Sequence, residues 1–153
     1  MDAVNEAACG TLVGIPPALV KPGIYRLRFR DWATVNYFQR QPKVVCHFEI
    51  CSEGTYFGTR IDRWYNVQAL VGGPRRRGRF KVSWHQDLAR EYLSMDQSVR
   101  RKDGIALSKL LPLLLEGEVA TVTTCRRQRP LHAGLHYSVL RHVRLCSDVA
   151  QQP

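Results

Sequence analysis

The residues best equipped for chemistry in this chain are arginines set among aromatic rings. Arg26, Arg28, Arg30 and Trp32 share one strand parity, with Tyr25, Leu27 and Phe29 on the other. Arg60, Asp62 and Trp64 share a parity in a later segment, and Tyr65 follows on the opposite one. Arg75, Arg76, Arg77, Arg79 and Lys81 crowd five bases into seven residues without an acid, and Arg126, Arg127 and Arg129 form a last group. A guanidinium grips phosphate through two parallel N–H bonds and stacks on flat rings, which an ammonium does less well. Exposed rings stack nucleobases at about 1–3 kcal/mol per base while a basic groove follows the phosphates. Backbone neutralisation plus stacking is therefore the chemistry these residue types allow.

Other chemistries find little support. Asp31, Glu49, Asp62, Asp87 and Glu91 show no spacing that would gather two or three carboxylates around a metal. Cys46 and His47 are neighbours on a strand and must point to opposite faces, so they form no nucleophile–base pair. His132 and His136, with Cys125 and Cys146, lack the second close-spaced ligand pair of a structural zinc site. No P-loop, GxGxxG or GxSxG motif occurs. The expectation is a non-enzyme without catalytic residues, metal or cofactor.

Charge and composition frame this reading. The 153 residues carry 23 Lys+Arg against 13 Asp+Glu, a formal charge of +10, and 44% are hydrophobic. That length and apolar content suit one domain with one core and exclude a chain disordered throughout. Residues 1–20 hold Asp2 and Glu6 and no base, so the remainder carries 23 bases against 11 acids, or +12. Eighteen of the bases are Arg. The longest apolar run, Leu110 to Leu115, is broken by Pro112 and falls far short of the roughly 18–20 residues of a membrane span. No base precedes Lys21, so no basic signal-peptide region is visible, and five cysteines without a CxxC pair suit reduced thiols. The expected setting is the cytoplasm, away from the membrane.

Elements must position these residues. Residues 1–20, ending in Pro16-Pro17, read as an extended or mobile arm, and 147–153 as a disordered tail. After Pro22-Gly23, strict alternation from Tyr25 predicts a half-buried strand, continuing irregularly through Trp32, Val35 and Tyr37. Val44 to Ile50 alternates again, Ser52-Glu53-Gly54 reads as a hairpin turn, and Tyr56 to Val67 is a third strand. Phe29 and Phe48 are assigned to the core. Either Trp64 or Tyr65 must lie outside. Val71 to Gly78 reads as a loop. Ser83 and Gln86 form a capping-box pattern opening a helix whose face is Trp84, Leu88 and Tyr92. Leu107 to Leu115 holds a helical turn capped by Ser108. A fourth strand spans Glu118 to Cys125, Arg126 to Gly134 is a basic loop, and a fifth strand spans His136 to Leu145 with Tyr137, Val139, Arg141, Val143 and Leu145 on one face.

Three strands, a helix and two strands, within residues 21–146, predict a mainly β domain: a five-stranded OB-like barrel with a helix between strands three and four. Another small barrel, or a sandwich with an inserted helix, competes with it. The stretches Pro22-Gly23-Ile24-Tyr25, Val45-Cys46-His47-Phe48-Glu49-Ile50, Tyr56-Phe57-Gly58 with Tyr65, Gly78 to Ser83, Arg101-Lys102-Asp103 and Tyr137-Ser138-Val139 carry a resemblance. Over residues 21–145 the chain resembles a family of short, mostly uncharacterised proteins of bacterial integrative elements, plasmids and prophages. The resemblance implies a mobile-element setting, where small OB-fold single-stranded-DNA-binding proteins are common. It transfers no catalytic residue.

Two functions follow as expectations. The first is sequence-tolerant binding of single-stranded nucleic acid, foremost DNA, in replication, recombination or transfer, through the arginines and rings named above. The second is a protein–protein adaptor or inhibitor of anti-defence type that docks on an acidic partner of the host or element. The oligomeric state, monomer or homodimer, stays open.

Overall fold

A computed structural model describes residues 19–37, 41–96, 104–123 and 136–147. Most of the anticipated arm and tail, the Arg126–Gly134 loop and Arg100 to Asp103 lie outside these. At the arm's end, Val20 is buried, its N–H donating to Ser138 Oγ at 2.6 Å.

Alternation of apolar and polar residues produces two long strands that pair antiparallel, β1 (Gly23–Tyr37) and β2 (Gln41–Ile50). The strand expected from Tyr56 begins later, as β3 (Arg60–Asn66), because Gly54 and Gly58, at φ 128° and 84°, hold 54–58 in a tight turn. The segment read as a loop is instead a folded excursion of three short strands, β4 (Ala69–Val71), β5 (Arg75–Arg76) and β6 (Arg79–Lys81). β4 pairs with β6 and carries Leu70 and Phe80 onto the core, while β5 pairs with β1.

The helix α1 (Asp87–Met95) starts later than the capping pattern predicts. Gln86 Oε1 does accept from the Ser83 N–H at 2.9 Å, but it closes a turn ahead of the helix. Leu88, Ala89, Tyr92 and Met95 form its buried face. A 3₁₀ turn at Leu107–Leu110 takes Ala106, not Ser108, as its N-cap. β7 (Leu114–Thr123) then begins four residues before the expected Glu118, and β8 (His136–Leu145) follows. Its anticipated alternating face is broken: the β7–β8 register slips between Glu116 and Glu118, His142 takes φ 54°, and Leu140 and Val143 are the buried pair.

The fold is mainly β and antiparallel, with main-sheet order β3-β2-β1-β7-β8 and β5 added on β1. This corrects the expected barrel on three points. Eight strands are present among the described residues, the helix follows β6 rather than the third strand, and the sheet is not closed. At the opening, α1 stands between the edges. Glu91 Oε1 accepts from Tyr65 Oη of β3 at 2.6 Å and from the Val143 N–H of β8 at 3.2 Å. A helix carboxylate thus takes a backbone donor of the edge strand β8. The main core gathers buried Leu27, Phe29, Val44, Phe48, Ile50, Tyr92 and Leu115, and a second, small cluster holds Ala33, Val35 and Val45. No described helix is long and apolar enough to cross a membrane.

Candidate functional site

A bulge decides which side chains of β1 face outward. The β1–β2 register slips between Phe29 and Asp31, so Arg30 has no cross-strand partner and the parity inverts after it. Trp32, expected alongside Arg26, Arg28 and Arg30, therefore turns inward. Its ring stacks on Phe29 with centroids 6.1 Å apart, and its indole N–H donates to Gly78 O at 3.1 Å. Asp31, Ala33 and Val35 take the outer face instead. Tyr65 is likewise corrected. It is buried with its hydroxyl on Glu91, so it offers no stacking surface, and burial followed by the Glu91 charge pushes its pKa well up.

Trp64, the neighbour of Tyr65, lies on the outer face, half-buried against Ala33, Val35 and Val45. Register aligns Arg76 of β5, Ala33 of β1, Val45 of β2 and Trp64 of β3 in one row. At a strand spacing of about 4.8 Å, that row spans about 14 Å from an exposed arginine to an aromatic ring. The next outward row is Asp31, His47 and Asp62, followed by Glu49 and Arg60. Ala33 and Val45, in the middle of the first row, are buried in a small apolar cluster with Val35, so Arg76 and Trp64 stand at its two ends, and Arg30, Arg60 and Arg77 are exposed at neighbouring positions.

Each of these four arginines meets a carboxylate. Arg30 uses Nε and one terminal nitrogen on Glu49 Oε1. Arg60 donates Nε to Asp62 Oδ1 at 3.1 Å, and its Nη2 lies 2.8 Å from His47 Nδ1. That same imidazole nitrogen is 2.8 Å from Asp62 Oδ1. It can donate to Asp62 or accept from Arg60, not both at once. Burial works to raise the Asp62 carboxyl, yet the His47 and Arg60 contacts hold it below its ordinary pKa.

Asp31 holds two arginines. Arg76 Nε donates to Oδ2 at 2.6 Å and Arg77 Nε to Oδ1 at 2.6 Å, with the Trp32 N–H on Oδ1 at 2.9 Å. Desolvation opposes the charge, but these donors outweigh it and lower the Asp31 pKa to about 2. The arginine cluster read as a loop is in fact clamped to β1. The Arg77 N–H donates to Trp32 O at 2.8 Å, the Arg75 N–H to Thr34 Oγ1 at 3.1 Å, and Arg77 takes a left-handed φ of 52°. Gly78 permits the close approach: a Cβ there would sit 2.2 Å from Thr34 Oγ1. The Arg77 guanidinium also lies over the Trp32 ring, 5.4 Å from its centroid.

The remaining candidates divide. Arg75 is exposed on β5, Arg79 and Lys81 on β6, and Arg26 toward the start of β1. Arg28 is half-buried, donating to Pro112 O at 3.0 Å, so its guanidinium is tied to the β7 approach. Arg126, Arg127 and Arg129 lie outside the described residues. Sequence reasoning weighed Asp31 only as a metal ligand, although an acid directly after three alternating arginines was the available signal of an arginine-holding role.

On the inner face a second ionic cluster appears that no sequence pattern announced. Arg63 pairs with Glu91 at 2.6 Å and lies 4.6 Å from the Tyr65 ring centroid, so Glu91 ties β3, α1 and β8 together. Cys46, also inward, has its thiol pKa pushed up by burial. Among the described residues no three His, Cys, Asp or Glu side chains are arranged to hold a metal ion. Comparison with protein-family models, with curated proteins and with solved structures finds no match.

Proposed function

We propose that this chain is a sequence-tolerant single-stranded-nucleic-acid-binding protein, acting on DNA in the replication, recombination or transfer of a bacterial mobile element. It works without catalysis and without a cofactor, in the cytoplasm. The observation that carries this reading is the outer row from Arg76 to Trp64, flanked by Arg30, Arg60 and Arg77. Phosphate-gripping groups and a ring stand at the two ends of one cross-strand row, which is a pairing single strands can use. The layout gives support too. Five long strands in the order β3-β2-β1-β7-β8, with a helix before the fourth, follow the course of an OB-like sheet left open. The motif resemblance over residues 21–145 supports the mobile-element setting. Fluorescence polarisation with labelled oligo-dT at several salt concentrations tests the reading. Binding that weakens steeply with salt and exceeds binding to duplex is expected. No binding at low salt, or equal binding to duplex, overturns it.

A second reading has its own observation. Phe57 is 66% exposed at the β2–β3 turn, and Leu19 and Ile24 are exposed as well. Apolar anchors of this kind suit a protein partner. Capture from nuclease-treated host lysate separates the readings, because a protein adaptor keeps its partner when nucleic acid is gone.

A further inference from the structure

The four arginines of the outer face spend their donors differently. A guanidinium has a side edge, Nε with one terminal nitrogen, and an end edge of both terminal nitrogens. Arg30 commits its side edge to Glu49 and Arg60 commits its own to Asp62 and His47. Arg76 and Arg77 are held by Asp31 through Nε, with a long 3.5 Å approach of Arg77 Nη2 to Arg30 O beside it. The Arg76 and Arg77 side chains are 76% and 42% exposed. The backbone beneath them is fixed by the β5–β1 pairing, the Thr34 contacts and the Gly78 cradle.

We propose that Arg76 and Arg77 form a two-pronged claw for one phosphodiester, and that Asp31 is its positioning residue. The proposal rests on the nucleic-acid reading and names the group that this part of the surface takes. Charge selects the ligand: two guanidiniums and one carboxylate sum to +1, matching the single charge of an internal phosphodiester. A terminal phosphate, at about −1.5 to −2, leaves negative charge uncompensated beside Asp31. Orientation before binding reduces the ordering cost that a long, exposed arginine otherwise bears.

The sign of one substitution tests the positioning role. A carboxylate near phosphate ordinarily repels it, so a merely competing Asp31 predicts tighter binding once its charge is removed. An orienting Asp31 predicts the reverse: Asp31→Asn weakens oligo-dT binding about three- to tenfold although the protein gains positive charge. Asp31→Glu, which keeps the carboxylate, recovers part of the loss. Glu49→Gln gives the opposite sign, about twofold tighter, because it releases the side edge of Arg30. Tighter binding by Asp31→Asn overturns the positioning role. Adding a 5′-phosphate to the oligonucleotide leaves affinity unchanged; a marked gain overturns the assignment to an internal phosphodiester. The Nε–Hε NMR resonances of Arg76 and Arg77, titrated with dimethyl phosphate, separate the claw from the larger reading. Shifts present in the wild type and absent in Asp31→Asn uphold the claw even where oligo-dT fails to bind. No shift in the wild type overturns it.

Discussion

The two faces of β1–β3 both carry ionised side chains, and they put them to contrasting use. On the inner face, Arg63 and Glu91 keep only 16% and 14% of their side-chain surface exposed, and their strongest contacts join one element to another. On the outer face Asp31, Glu49 and Asp62 are partly exposed, and the arginines they hold reach into solvent. Burial is what separates these roles. A desolvated ion pair is costly to break from one side, because the surviving charge has no water to turn to. A half-wet pair contributes little to stability, so its value lies in the direction it imposes on a side chain.

Breaking the inner pair tests that contrast most severely. Glu91→Ala strips Arg63, Tyr65 and the Val143 N–H of their shared acceptor. It is expected to cost about 3–5 kcal/mol, measured as a lower urea midpoint at constant m-value. A loss below about 1 kcal/mol would place the inner cluster with the outer pairs. Gly78→Ala comes next, since its Cβ must displace the buried Thr34 hydroxyl from 2.2 Å. The expected cost is about 1–3 kcal/mol, with β5 lifted from β1 and oligo-dT binding reduced.

Substitutions on the outer face should leave the fold standing and act on binding. Trp64→Ala is expected to cost about 1–3 kcal/mol of affinity with an almost unchanged salt slope, because stacking releases few counterions. Changing Arg75, Arg76 and Arg77 together to Ala should flatten the log K versus log salt slope by about 0.7 for each phosphate left unneutralised. An unaltered slope would show that the β5 segment touches no phosphate. The smallest effect concerns pH. The Asp31 carboxyl, depressed from 3.8 to about 2, binds its proton less readily folded than unfolded. Its contribution to stability is full above about pH 4 and is lost as pH falls toward about 2. Acid titration of stability should show this limb, and Asp31→Asn should remove it.

Much of the frame was legible in the residues. Alternation located β1 and β2, because a period of two reports which side of a strand meets the core, and β8 occupies the expected span although its faces do not alternate as expected. Phe29 and Phe48 are the core residues expected, and of Trp64 and Tyr65 one lies outside. Ser83 and Gln86 do bond to each other as a capping box would. These are local features, set by neighbours a few residues away.

The rest depends on partners distant in the chain. Whether Trp32 faces in or out turns on the bulge at Arg30, which exists only as a register against β2. The arginine run became a strand because Thr34 and Trp32, more than forty residues earlier, offer it backbone and side-chain partners. The sheet stays open where Glu91 of α1 bonds both edge strands, and nothing near Glu91 in sequence names Tyr65 or Val143. Residue type and spacing determined a basic, β-rich chain with arginines and rings at alternating positions. Which arginines are oriented toward a ligand, and which ring can reach it, was decided by tertiary structure, since ion pairs and bulges are made between strands.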